Sequence, residues 1–190
     1  FSEDNVVAKF NHNKSQWGLF YNLSARNFKK TYTDIDETYV LENKTIHRVQ
    51  EGLHDQNKHF THNIDLSYNL TEQDKYVFNV VFRNSVYDAP CLNQSNKLYD
   101  AADADNYIFS RLKNKQSSYT PSLDLYYQRT LPKNQMLTMS VTGTLMHTDN
   151  NRLYHEYTPQ AEDLAMIETD VTGNKRSIIG EAIYDKRFKF

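Results

Sequence analysis

An all-β chain, folded as an antiparallel up-and-down meander of about seven strands, is what this sequence predicts. Three observations carry the prediction. Apolar and polar residues alternate over long runs, which marks strands with two different faces. Helical spacing is sustained nowhere. The third is compositional: 14 Tyr, 10 Phe and 1 Trp stand in a chain whose mean hydropathy is only −0.79. Disordered chains are poor in aromatic residues, so this profile implies order without a large apolar core.

Taken in chain order, a short first strand is expected around Val6 to Asn11. The next run sets Trp17, Leu19, Tyr21, Leu23 and Ala25 against Gln16, Gly18, Phe20, Asn22, Ser24 and Arg26. From His59 to Leu70 the even positions are Phe60, His62, Ile64, Leu66, Tyr68 and Leu70, while Asn63, Asp65, Ser67 and Asn69 lie between them. A fourth strand has Tyr76, Phe78, Val80 and Phe82 on its apolar side. Leu123, Leu125 and Tyr127 mark a fifth, and Leu137, Met139, Val141, Gly143 and Leu145 a sixth. The seventh, Ile178, Gly180, Ala182 and Tyr184, is interleaved with Ile179 and Ile183 and is less clearly two-faced.

The connections are expected to be asymmetric. His12–Ser15, Thr71–Asp74 and Pro132–Asn134 are short. Polar excursions over 29–57, 88–106 and 150–175 read as long loops at the opposite end. Tight turns at one end and long loops at the other are the layout of transmembrane β-barrels. Runs of about ten residues match the length a tilted strand needs to cross a bilayer. Phe10, Trp17, Tyr68, Tyr76 and Tyr127 all fall near the short turns on the apolar parity, as an aromatic girdle at a membrane–water interface requires. The polar row Asn63, Asp65, Ser67 and Asn69 cannot face hydrocarbon and is expected to face a water-filled or plugged lumen.

These stretches, above all Gln16–Arg26, Ile64–Thr71 and Tyr76–Arg83, resemble the barrel of a TonB-dependent receptor or a related Gram-negative outer-membrane β-barrel. The resemblance is one of texture over nearly the whole chain. It implies an outer-membrane location, lipid around the barrel, a small nutrient ligand held by loops, and a plug region contacting the TonB complex. Neither the plug nor the TonB-contacting segment is recognisable here. Both termini read as cut, so the chain is expected to be one β-barrel segment, 1–190, of a longer protein. Seven strands leave open edges, and self-association through them is expected. Outside lipid, the apolar stripes are expected to be buried in a folded-over sheet or an oligomer.

Other classes are argued against. No apolar run of 18 residues exists, so no transmembrane helix is expected. A formal charge of −2 gives no basic footprint, and no nucleic acid is expected as a partner. One cysteine, Cys91, excludes an internal disulfide framework. It follows Pro90 in a predicted loop with no local base and reads as a bystander thiol. Catalytic motifs are absent, so the chain is not expected to be an enzyme and no catalytic residue is named. No metal or cofactor is expected: His59 and His62, the densest histidines together with His54, should point to opposite faces of a strand. The Asp100, Asp103, Asp105 run reads as a solvated loop tip, with weak calcium binding a minor alternative. Five Asn-x-Ser/Thr triplets, at Asn13, Asn22, Asn43, Asn69 and Asn93, are few enough among 19 Asn to arise by chance. Tyr99, Tyr107, Tyr119, Tyr154 and Tyr157 sit in or beside the excursions, but no ligand-binding residue is assigned. The competing reading is a soluble β-sandwich that binds carbohydrate or mediates adhesion, whose stripes would pair with a second sheet.

Overall fold

The computed structural model describes residues 1–42 and 44–186; Asn43, one of the five triplets, and the terminal 187–190 lie outside the described residues. The fold is all-β and antiparallel. Ten strands form one sheet: β1 (Ser2–His12), β2 (Ser15–Thr31), β3 (Ile35–Leu41), β4 (Lys44–Gly52), β5 (Asp55–Glu72), β6 (Tyr76–Asp100), β7 (Asp103–Tyr119), β8 (Ser122–Leu131), β9 (Gln135–Tyr157) and β10 (Asp163–Lys186).

These ten strands occupy seven positions across the sheet. β2 and β3 share one position, pairing with β5 and β4 respectively. β4 and β5 share the next, both paired to β6. β7 and β8 share another, each lying between β6 and β9. Each break has a local cause. Pro121 interrupts β7 and β8 because it has no N–H to give the ladder. Between β4 and β5 the carboxylate of Asp55 takes over, accepting from the Ser95 N–H at 3.2 Å and the Thr33 hydroxyl at 3.4 Å. Beside it, a Cβ on Gly52 would stand 2.5 Å from the backbone nitrogen of Thr33, so β4 can end this close to the start of β3 only with glycine there.

The three short turns are where they were expected, and left-handed Asn13, Asp74, Lys133 and Asn134 close them. The long loops are not found. All three excursions are paired hairpins: β3 with β4, β6 with β7, and β9 with β10. Six of the ten strands therefore greatly exceed ten residues, from 17 in β2 and β7 to 25 in β6. The alternation failed to show this because the upper halves carry polar side chains on both faces, which erases the period without removing the hydrogen-bonded ladder. Cys91 likewise lies in β6 rather than a loop, and the acidic loop tip reduces to the turn at Ala101 and Ala102, where Asp100 accepts the Ala102 N–H at 3.0 Å.

Register decides which side chains share a face. Phe10 stands opposite Trp17, Trp17 opposite Tyr68, Phe78 opposite Tyr127, Tyr127 opposite Met139, and Leu137 opposite Tyr184. All seven apolar stripes thus lie on a single face. That face is not covered from within the chain: Trp17 is 53% exposed, Leu66 43% and Ile178 82%. The expected folded-over sheet is not formed, and the second layer of a sandwich is absent among the described residues, since all ten strands belong to one sheet. Buried apolar side chains are few, Ala89 and Leu98.

One irregularity exchanges the faces. Phe60 pairs with Asp88 but Lys58 with Cys91, so β6 holds one extra residue at Ala89–Pro90. A bulge is the place where a central strand tolerates proline. Below it, the even residues of β6 share the apolar face; above it, the odd ones do.

Candidate functional site on the polar face

The face opposite the apolar stripes carries hydrogen-bonding rows that run across the strands. Asn63 donates to Asn22 at 3.1 Å and Asn22 to Asn5 at 2.8 Å, linking β5, β2 and β1. One turn-ward row pairs Asn79 with Asn69 at 2.9 Å. Between them the Arg83 guanidinium binds the Asp124 carboxylate, which also accepts from Thr142 at 2.8 Å. Cross-strand amides and hydroxyls of this kind satisfy one another without a second layer. The predicted polar row of Asn63, Asp65, Ser67 and Asn69 is thus one column of a wider network.

Above the bulge the same face changes character. The even residues of β6 now point to it, and Asn96 and Leu98 are buried there with Ser110 of β7. Asn96 and the Ser110 hydroxyl are 3.4 Å apart. Over them lies an open hollow of about 500 Å³ lined by Tyr39, Ile46, Arg48, Leu98, Asp100 and Ile108. Its floor is apolar and its rim polar. Arg48 faces Asp100 in register yet forms no ion pair among the described residues. The Tyr39 hydroxyl binds Glu37, and that bond raises its pKa. Two rows lower on β9, Tyr154 is pushed up to about 12, first by burial and then by its bond to Glu156. Both phenols are therefore neutral hydrogen-bonding groups at any physiological pH. An apolar floor, neutral phenols and one guanidinium that bonds the Tyr39 phenol but no carboxylate suit a small ligand with an apolar or ring body and an anionic group.

The tyrosines noted from the sequence divide between the faces. Tyr154 alone is on the polar face. Tyr99, Tyr107, Tyr119 and Tyr157 lie on the other, in strands rather than loops. There Lys97 sits 4.8 Å from the Tyr99 ring and 4.4 Å from that of Tyr107, with the Tyr99 hydroxyl on Glu51 at 2.5 Å. His59 and His62 do point to opposite faces: His59 meets Asn57 at 2.8 Å, while His62 meets the Tyr21 hydroxyl at 2.8 Å. No group of three His, Cys, Asp or Glu that could hold a metal forms among the described residues. The hollow escaped sequence reading because Tyr39 and Arg48 come from strands that carry no alternation, and because the bulge reverses which residues of β6, Leu98 among them, face inward.

Compared with models of known protein families and with curated proteins, the chain matches none.

Proposed function

We propose that this chain is a segment of an outer-membrane β-barrel of the receptor or transporter type, resembling TonB-dependent receptors, and that it serves nutrient uptake. One observation carries the reading: the apolar stripes of all seven strand positions align on one exposed face. A water-soluble sheet has no reason to hold so continuous an apolar surface against solvent. The dimensions agree. Aromatic rings bound the face below at Trp17, Tyr68 and Tyr127 and above at Phe60 and Tyr119. The eight steps from Tyr68 to Phe60 are about 26 Å of strand at ~3.3 Å per residue, or about 20 Å across the membrane at a tilt of ~40°, of the order of the ~25 Å apolar band of such barrels. Under this reading the polar rows face the lumen, and the hollow at Arg48 is the site that meets the ligand.

The test is insertion. The refolded chain is mixed with lipid vesicles and floated, and Trp17 fluorescence is followed with bromine-labelled lipid. Co-flotation with quenching of Trp17 is expected. A chain that stays in solution as a monomer with unquenched Trp17 refutes the proposal.

A further inference from the structure

On β7 the outward positions directly above the aromatic edge of the apolar face form a basic column. Reading upward from Tyr119 they are Ser117, Lys115, Lys113 and Arg111. The three cations are exposed and alternate with half-buried Gln116, Asn114 and Leu112. They span about 13 Å at ~3.3 Å per residue. No carboxylate stands directly beside them across the strands: Ser95 and His155 flank Arg111, with His155 bonded to Asp163 at 2.7 Å, Asn93 and Leu153 flank Lys113, and Asn151 lies beside Lys115. Lys58 stands level with Lys115 across Cys91, its ammonium 5.5 Å from the Phe60 ring, and Arg111 lies 5.9 Å from the Tyr157 ring.

None of these four cations forms an ion pair among the described residues. The turn end is different, for there Lys14 and Lys75 both bind Glu72, at 3.0 and 2.7 Å. Acidic residues do occur on the outward face at the upper level. Asp149 is held by Thr172 and His147, and Asp88, Asp170 and Glu168 lie one or two strands from the column.

We propose that the column Arg111, Lys113 and Lys115, with Lys58, binds the phosphate groups of lipid headgroups in the leaflet against which the upper edge of the apolar face rests. The inference deepens the membrane reading and rests on it. The height of the column supplies the argument for lipid over a soluble anion. Its cations begin two residue pairs above Tyr119, on the side that faces lipid, where headgroup phosphates lie once the band is filled with acyl chains. Tyr119 and Phe60 then occupy the ester level, and each cation close to an anionic surface adds about 1 kcal/mol, a factor of about five.

The experiment compares vesicles of phosphatidylcholine with vesicles containing phosphatidylglycerol, using the whole chain, flotation and Trp17 quenching. The native chain is expected to partition more strongly into the anionic vesicles, with the preference lost in high salt. The variant R111Q/K113Q/K115Q is expected to lose the preference by about a hundredfold while still inserting into neutral vesicles. R26Q/R152Q/K175Q removes the same charge from the polar face and is expected to keep it. Single K113Q, losing about fivefold, serves where the triple variant does not insert. Equal loss in both triple variants, or no preference in the native chain, overturns the inference. Inorganic phosphate added at constant ionic strength is expected to change nothing; displacement by it would make free phosphate the ligand and overturn the lipid assignment. Failure to insert into either vesicle, by contrast, is failure of the membrane reading itself.

Discussion

Asn84 lies in the middle of the apolar face, between Phe82 and Val86, where β6 runs past Pro121. Its Oδ1 is buried without a partner. A buried polar atom left unpaired costs about 1–3 kcal/mol. Asn84→Val is therefore expected to raise the stability of the lipid-inserted chain by about that amount, measured as a shift in the guanidinium midpoint; an unchanged or lowered midpoint refutes the assignment of Asn84 to the lipid side. Gly52 carries the opposite expectation. The Cβ of Gly52→Ala would fall 2.5 Å from the nitrogen and 2.8 Å from the oxygen of Thr33, both backbone atoms that cannot turn aside. Overpacking of this kind costs about 1–3 kcal/mol. Amide exchange should quicken across β3 and β4 and stay unchanged in β9; uniform protection in the variant would show that the hairpin yields without cost.

At the scale of elements, β9 and β10 are tied at the upper edge of the apolar face, level with Tyr119, by a titratable cluster. His147 bonds Asn174 and Asp149 at 2.8 Å each, and Asp149 also accepts from Thr172. The bond to Asn174, followed by that to Asp149, raises the His147 pKa; the bond to Thr172, followed by that to His147, lowers that of Asp149. The raised histidine stabilises the pairing fully below its unfolded value near 6.5 and loses this as pH climbs through the folded value. The depressed carboxylate contributes above its unfolded value near 3.9 and loses this as pH falls through the folded one. Protection of the β9–β10 amides is thus expected to peak between about pH 4 and 6.5, and His147→Gln should flatten the alkaline side. A flat profile in the native chain contradicts this.

The same elements show how much was legible beforehand. The lower halves of the strands were readable residue by residue, because their two faces meet different surroundings and the stripes of β2, β5, β6, β8 and β9 record it. The short turns were readable too. The upper halves were not: Lys29 to Asn57 looks like a loop, yet most of it is β3, β4 and the ends of β2 and β5. Polar side chains on both faces leave no pattern to read there, and the pairing partners are far along the chain. The hollow at Arg48 and the column at Lys113 both lie in this silent region, so neither could be assigned from sequence.

For the whole molecule, the governing fact is an open sheet with two edges. β10 presents 24 residues along one of them, with Ile178 82% and Ile179 67% exposed, and β1 presents 11 at the other. Long apolar edges pair with further strands. In lipid-free solution the chain is expected to associate with rising concentration, and the variant I179K/I183K, whose changes lie on the polar face, should shift sedimentation toward the monomer. A native chain that sediments as a monomer at every concentration would remove the edges as the cause.

The extra residue at Ala89–Pro90 behaves as a frame marker for the sheet. Deleting Pro90 alone would leave Cys91 two positions from Asp88, as Lys58 is from Phe60, so both parts of β6 would keep their present faces in an unbulged ladder. A single deletion in the upper part has no extra residue of its own to absorb it: removing Gln94 would leave Asn96 and Leu98 turned outward and Lys97 and Tyr99 turned into the hollow. Insertions and deletions in this chain should therefore be tolerated in pairs, at turns or at the bulge, and rejected singly elsewhere along β6. A deletion scan read by folding would trace the two frames directly and locate the point where one gives way to the other.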